Sequence, residues 1–370
     1  MKHYLRIALF IFIAATSVHA QVPSLTAEPD GGNKKASVAE QIGIVQILIS
    51  YSRPGVKGRE GKVWNTAVAH YGFFDLGHGT STAAPWRAGA NENTTISFSH
   101  PVKIEGKDLP AGTYGFFISL GEEESTLIFS KVSNSWGSFY YDPTEDALRV
   151  TVKNQSLDNS VEWLKYEFTN QTNNSATITM SWEKRLIPFK VEADVQALQI
   201  AAFKSDFRTT RPSTDYVQAA NYCLKNSIEL EQALAWMDRA IYFRIMGEKN
   251  FRTLSTKAAV LFKLNRVDEA KKIMDEAIPM GTVVDVHQYA RTLLNAKETE
   301  EASKVYKANY AKYPNEFTAN VGMGRGYCAK GDYKKALSYM KVALPKAPNN
   351  FYKNAVETMI KSLEEGKDIN

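Results

Sequence analysis

Cysteine is scarce: Cys223 and Cys328 are the only two in 370 residues. A disulfide-stapled scaffold is therefore excluded, and the two fall too far apart in the repeats described below to expect a bridge. They read as small buried apolar residues. No apolar run after residue 18 is long enough to span a bilayer. One-sided charge is also missing, with 45 Lys and Arg against 40 Asp and Glu, a net of +5. That balance argues against nucleic acid and anionic membranes as partners. Chemical signatures are equally thin. The chain has no Gly-x-Ser-x-Gly elbow, no histidine pair at i,i+4 and no cysteine cluster. A site built from His70, His78, His100 and Glu92 is conceivable but unsupported, so neither metal nor cofactor is expected. Gly322, Gly324 and Gly326 imitate a phosphate loop but follow no strand pattern.

What is present starts with a processing signal. Lys2 and Arg6 flank the apolar run Ile7–Val18, and Val18-His19-Ala20 is a small-x-small cleavage site before Gln21. Residues 1–20 are expected to be a signal peptide cleaved after Ala20, sending the protein to the periplasm or outside the cell. Residues 21–40, rich in Pro, Gly, Lys and Asp, read as a flexible leader.

From residue 41 to 192 the pattern has period two. Val45, Ile47, Ile49 and Tyr51 alternate with polar neighbours, and Ile96 and Phe98 alternate with Thr95, Ser97 and Ser99. Further runs at Thr113–Ile118, Thr126–Phe129, Leu148–Val152, Trp163–Phe168 and Ala176–Trp182 complete an antiparallel β-sandwich or barrel. Residues 193–214 read as a connecting helix and a polar linker, with Pro212 closing the helix.

Residues 215–370 are helical and repetitive. Ala233, Ala270, Ala302 and Ala336 recur at intervals of 37, 32 and 34 residues. Seven positions after each come Ala240, Ala277, Asn309 and Ala343, with Met237, Met274, Tyr306 and Met340 between. Small residues two turns apart at a period near 34 mark an α-solenoid of helix-turn-helix repeats. Pro314 and Pro348 close two of the copies. These residues resemble the tetratricopeptide repeat family, in about four copies with a capping helix. The first copy is irregular, since Asn221 holds the place of a small residue. The resemblance implies a concave groove lined by Tyr222, Lys225, Arg252, Lys263, His287, Arg291 and Arg325. That set is largely cationic and would suit a protein partner or acidic peptide.

Two loops of the β half carry the strongest ligand chemistry. Trp86-Arg87-Ala88-Gly89-Ala90-Asn91-Glu92 places a guanidinium, an amide and a carboxylate near an indole, a kit for a glycan or small anion. The alternative is that Arg87 and Glu92 brace the loop while Trp86 fills the core. Arg53, Lys57 and Arg59 form an anion-attracting rim, or simply a solvated turn. The blocks Tyr51-Ser-Arg-Pro54, Lys57-Gly-Arg59, Trp86 to Glu92, Ala111-Gly-Thr-Tyr114 and Trp136-Gly-Ser-Phe139 resemble the bacterial domain of unknown function 2911 family. The resemblance covers most of residues 41–191 and implies an exported β domain without an assigned reaction. The segment Glu60–Pro85, between the basic motifs, is longer than the family pattern.

The expectation is a non-enzymatic exported binding or assembly protein. Its β domain would recognise a small polar or anionic ligand, and its repeats would hold a protein partner. The alternative is an envelope or glycan hydrolase using Glu92 and Asp75.

Overall fold

The computed structural model describes residues 32–370. The expected signal peptide and its cleavage after Ala20 lie outside them. The chain divides into two compact units, the second beginning at Ala202.

The first unit is built on two antiparallel sheets. One has six strands in the order β1 (Lys34–Ile42), β2 (Val45–Arg53), β3 (Thr94–Phe98), β6 (Gly112–Ser119), β7 (Glu124–Ser130) and β8 (Asp146–Lys153). The other has four, in the order β5 (Lys107–Leu109), β4 (Val102–Ile104), β10 (Ser175–Glu192) and β9 (Gln155–Thr169). Strand β1 corrects the expected leader, because it begins at Lys34 and pairs along its whole length with β2. Alternation is weak there: Ala36, Val38 and Ile42 face inward between Lys and Glu residues, so the strand's composition looks like a tail. Gly43 makes the tight turn at φ 59, where a Cβ would collide with Val195.

In β2 the residues Val45, Ile47, Ile49 and Tyr51 are buried, so period two selects the core face. One core joins the inward faces of both sheets, including Ile47, Ile96 and Phe116 with Tyr166, Met180 and Phe189. Phe116 and Phe129 lie 5.7 and 6.2 Å from the Phe189 ring. At one end Trp86 stacks on Trp182 at 6.1 Å, and Trp64 meets both edge-on.

The insertion between β2 and β3 is anchored by a buried carboxylate. Glu183 sits at a register shift in β10 with φ 49. It accepts from the Trp64 indole at 3.0 Å, from Gly61 N–H at 3.2 Å and from Lys184 N–H at 2.8 Å. Burial pushes its pKa up, but those donors outweigh it and hold the carboxyl below its ordinary value.

After α1 (Val195–Asp206), the second unit runs as helix pairs: α2 (Ser213–Asn226) with α3 (Leu230–Tyr242), α4 (Phe251–Lys263) with α5 (Val267–Ala277), α6 (Val283–Asn295) with α7 (Thr299–Lys312), and α8 (Phe317–Ala329) with α9 (Tyr333–Ala343). Helix α10 (Asn350–Glu364) packs against α9. The alanine ladder is internal: Ala233, Ala270, Ala302 and Ala336 are fully buried, and so are Ala240, Ala277 and Ala343. Met237, Met274, Tyr306 and Met340 fill the space between them. In the irregular first copy Asn221 is exposed and Ala220 takes the close-packed place, one residue earlier than expected. Each paired helix turns into the next through a left-handed residue: Ser227, Asn265, Lys297 and Gly331. Cys223 and Cys328 are both buried and free.

Candidate functional site

Most of the charged residues expected to bind a ligand in the β unit are bound to the protein's own backbone. Arg53 donates through Nε to the Leu164 carbonyl at 2.8 Å, tying β2 to β9 across 111 positions. Arg59 closes its own loop on the Gly55 and Val56 carbonyls at 2.7 and 2.9 Å. Lys57 lies 5.9 Å above the Trp163 ring. The anion rim read from Arg53, Lys57 and Arg59 is therefore a brace, with two guanidinium groups satisfying carbonyls that strand ladders leave unpaired.

The second loop divides in the same way. Trp86 is buried in the β core and is closed to a ligand, which corrects its reading as a binding residue. Arg87 lies over the Phe139 ring at 5.1 Å and donates to the Asn91 carbonyl at 2.8 Å, so it too holds the loop. Burial lowers its pKa. Gly137 takes φ 66, and a Cβ there would strike that guanidinium. Asn91 has left-handed backbone at φ 59, and its side-chain oxygen accepts from Asn33 at 3.1 Å.

Glu92 is different. It pairs with Lys35 at 2.7 Å and accepts from the Ser52 hydroxyl at 3.3 Å, on the wall of a cleft of about 820 Å³. Ser37, Ser50, Asn93, Asn134 and Trp136 also line this cleft. The Trp136 side is open, with the residue 53% exposed. Asn93 Nδ2 is buried and has no hydrogen-bond partner among the described residues. Hydroxyls, amides, an ion pair and an indole thus converge, and of the residues first singled out only Glu92 is among them.

The Lys35 hydrogen bond holds the Glu92 carboxyl below its ordinary pKa, against a smaller opposing effect of burial. A glycosidase acid needs the opposite shift. Asp75 turns its carboxylate onto Gly77 N–H at 2.8 Å in its own exposed loop. Glu92 is therefore not poised as a proton donor. Among the described residues no group of three or more His, Cys, Asp or Glu is arranged to hold a metal.

The helical unit holds a cleft of other chemistry. It measures about 700 Å³ and lies between α4 and α6, with α5 contributing Val267 and Met274. Phe251, Ala258, Phe262, Tyr289 and Leu293 make it predominantly apolar, and Lys263, Lys271, Asp285 and Glu298 stand on its wall. Of the seven expected groove residues only Lys263 lines this cleft. Tyr222 meets the Phe203 ring at 5.7 Å. Lys225, Arg252 and Arg291 are exposed. His287 and Arg325 are buried instead of facing solvent. Burial, with Arg325 and Arg291 nearby, pushes the His287 pKa down to about 4, so the ring is neutral near pH 7. Gly322 makes this packing feasible, because a Cβ there would meet the Tyr306 ring and then His287.

The decisive comparison follows from the β unit. Residues 33–191 match the family described as Protein of unknown function (DUF2911). No curated protein matches the chain. Among similar solved structures, MamA 41-end from Desulfovibrio magneticus RS-1 aligns over 42% of this chain and 90% of its own, with 19% identity and a TM-score of 0.28. YrrB, described as a TPR protein with an unusual peptide-binding site, aligns over 45% of this chain and 86% of its own, with 20% identity and a TM-score of 0.28. Both likenesses are distant, and the repeat architecture stands on this chain's own helix pairs. No helix among the described residues is long and apolar enough to cross a membrane.

Proposed function

We propose that this is an exported binding protein whose helical repeats hold a linear segment of a protein partner. The α4–α6 cleft carries that reading. Its walls expose Phe262 and Tyr289 beside the small residues Ala258 and Ala259, which leave room for an inserted side chain. Grooves between paired helices recognise a few apolar anchors and tune them with charge at the rim. The lining carries two cations, Lys263 and Lys271, and two anions, Asp285 and Glu298, so charge there would set the register of a large apolar anchor rather than favour one sign. A random peptide library panned against the mature chain tests this. Selected sequences should share an aromatic or aliphatic anchor residue, and Phe262→Glu should weaken them about tenfold or more. Peptides without that signature, or indifferent to Phe262→Glu, would reject the cleft.

Trp136 favours a companion reading for the β unit: the cleft it borders takes a small polar ligand of the glycan class. An exposed indole can back a sugar face while Ser50, Asn93, Asn134 and Glu92 address its hydroxyls. Titration with an oligosaccharide panel should give saturable binding that Trp136→Ala abolishes, without turnover. Turnover lost in Glu92→Gln would replace this reading with a hydrolase. Export rests on the sequence of residues 1–20, and recovery of the mature chain starting at Gln21 from the periplasm or medium would support it.

A further inference from the structure

The residues after α10 fold back onto the repeat array. Gly366, at φ 72, ends the helix with its N–H on Leu363 O, while Lys367 N–H reaches Ser362 O. This is the paired 5→2 and 6→1 closure that reverses a chain at a helix end. The strap that follows lies along α8. Arg325 donates through Nη1 to the Ile369 carbonyl at 2.7 Å, and the Asn370 side-chain amide donates to the Arg325 carbonyl at 3.2 Å. Asp368 accepts from the Cys328 thiol at 3.0 Å. Ile369 packs on the cluster that contains Val321 and Val356.

Arg325 is an unusual residue to bury. Its side chain is nearly enclosed, it forms no ion pair among the described residues, and its guanidinium donates to a peptide carbonyl of the strap at 2.7 Å. Two further polar atoms beside it, His287 Nδ1 and Tyr306 Oη, are buried with no hydrogen-bond partner among the described residues. Both side chains feel the charges of Arg325 and Arg291. A guanidinium and two unused polar atoms together have more capacity than one carbonyl fills.

We propose that this end of the array is a second peptide site, covered by the chain's own Asp368-Ile369-Asn370, and that a partner segment binds by displacing that strap. The occupant's chemistry is read from the strap: an aliphatic residue preceded by an acidic one, in extended form, with its backbone carbonyl on Arg325. This site lies beyond the α4–α6 cleft and rests on the reading of the repeats as a peptide receptor. Covering costs affinity in proportion to how rarely the site is open. A strap closed nine-tenths of the time weakens an incoming peptide about tenfold.

A fluorescent peptide with the sequence Gly-Lys-Asp-Ile-Asn, residues 366–370, serves as the probe. Anisotropy titrations would compare the unaltered mature chain, Ile369→Gly to loosen the strap, Ile369→Gly with Arg325→Gln, and Phe262→Glu. Loosening should tighten binding about tenfold, Arg325→Gln should remove the gain, and Phe262→Glu should change nothing. Far-UV circular dichroism checks that each variant stays helical. Should Arg325→Gln unfold the chain, the strap change Asp368→Lys, made in the labelled peptide, must abolish binding to Ile369→Gly instead. Equal affinity of the unaltered and Ile369→Gly chains would overturn the proposal, as would a gain that survives either Arg325→Gln or the altered peptide. Library peptides that depend on Phe262 would persist in that case, so failure of the strap site leaves the α4–α6 cleft standing.

Discussion

The two units treat their cations in contrasting ways. In the β unit Arg53, Arg59 and Arg87 point inward along the loops and satisfy backbone carbonyls. In the helical unit the cations divide. Arg325, Lys312 and Lys346 donate to carbonyls outside the α-helices. Lys263, Lys271 and Arg291 stand clear of such duties, because helices satisfy their own carbonyls except in the last turn. An irregular segment such as residues 54–93 leaves many backbone acceptors that its sheet cannot serve, and the nearest guanidinium groups are drawn in. Clustered arginines in a long loop therefore point to bracing before binding, while lysines on a helix pair remain available at the surface.

The largest test of that contrast lies in the β core. Trp182→Ala, which removes the ring on which Trp86 stacks, should cost about 3–5 kcal/mol in urea unfolding. A cost below about 1 kcal/mol would mean that the loops do not rest on the indole cluster. Next comes His287. Its folded pKa of about 4 lies below that of an unfolded histidine, so the unfolded chain takes up the extra proton between those values. Stability should thus be complete above about pH 6.5 and decline toward pH 4, by up to about 3 kcal/mol. His287→Gln should flatten that decline, and an unaltered pH profile would show that the ring is not held neutral.

A smaller effect separates the cations directly. Arg87→Met should lower stability by about 1–3 kcal/mol, because the Asn91 carbonyl loses its donor, whereas Arg291→Met should stay within about 0.5 kcal/mol. Equal costs would erase the distinction between the units. The smallest change is expected at Trp136→Ala, within about 0.5 kcal/mol, since that residue is half exposed and serves the cleft rather than the core.

How much of this could be read from the chain depended on the element. The repeat half was legible because spacing alone brings Ala233, Ala270, Ala302 and Ala336 to the same packed position. Its turns were less so. Asn265 and Gly331 suit left-handed backbone, but Ser227 and Lys297 adopt it under the constraint of the helices on either side. In the β half period two identified the strands, yet it could not say that Arg53 would meet a carbonyl 111 residues away. Trp136 escaped notice as a site residue because a lone indole usually signals core. Its neighbours Ser135, Gly137 and Ser138 offered no apolar alternation, and that was the available clue. Arg325 was expected to face a partner and instead meets Ile369 in the strap beyond α10, a contact that repeat phasing does not encode.

The most direct measurement is side-chain shift mapping of the mature chain with a peptide selected from the library. Perturbations should cluster on Phe262, Tyr289, Leu293 and Met274, with Arg53, Arg59 and Arg87 silent. A response centred on those three arginines, with the α4–α6 walls unmoved, would contradict the account.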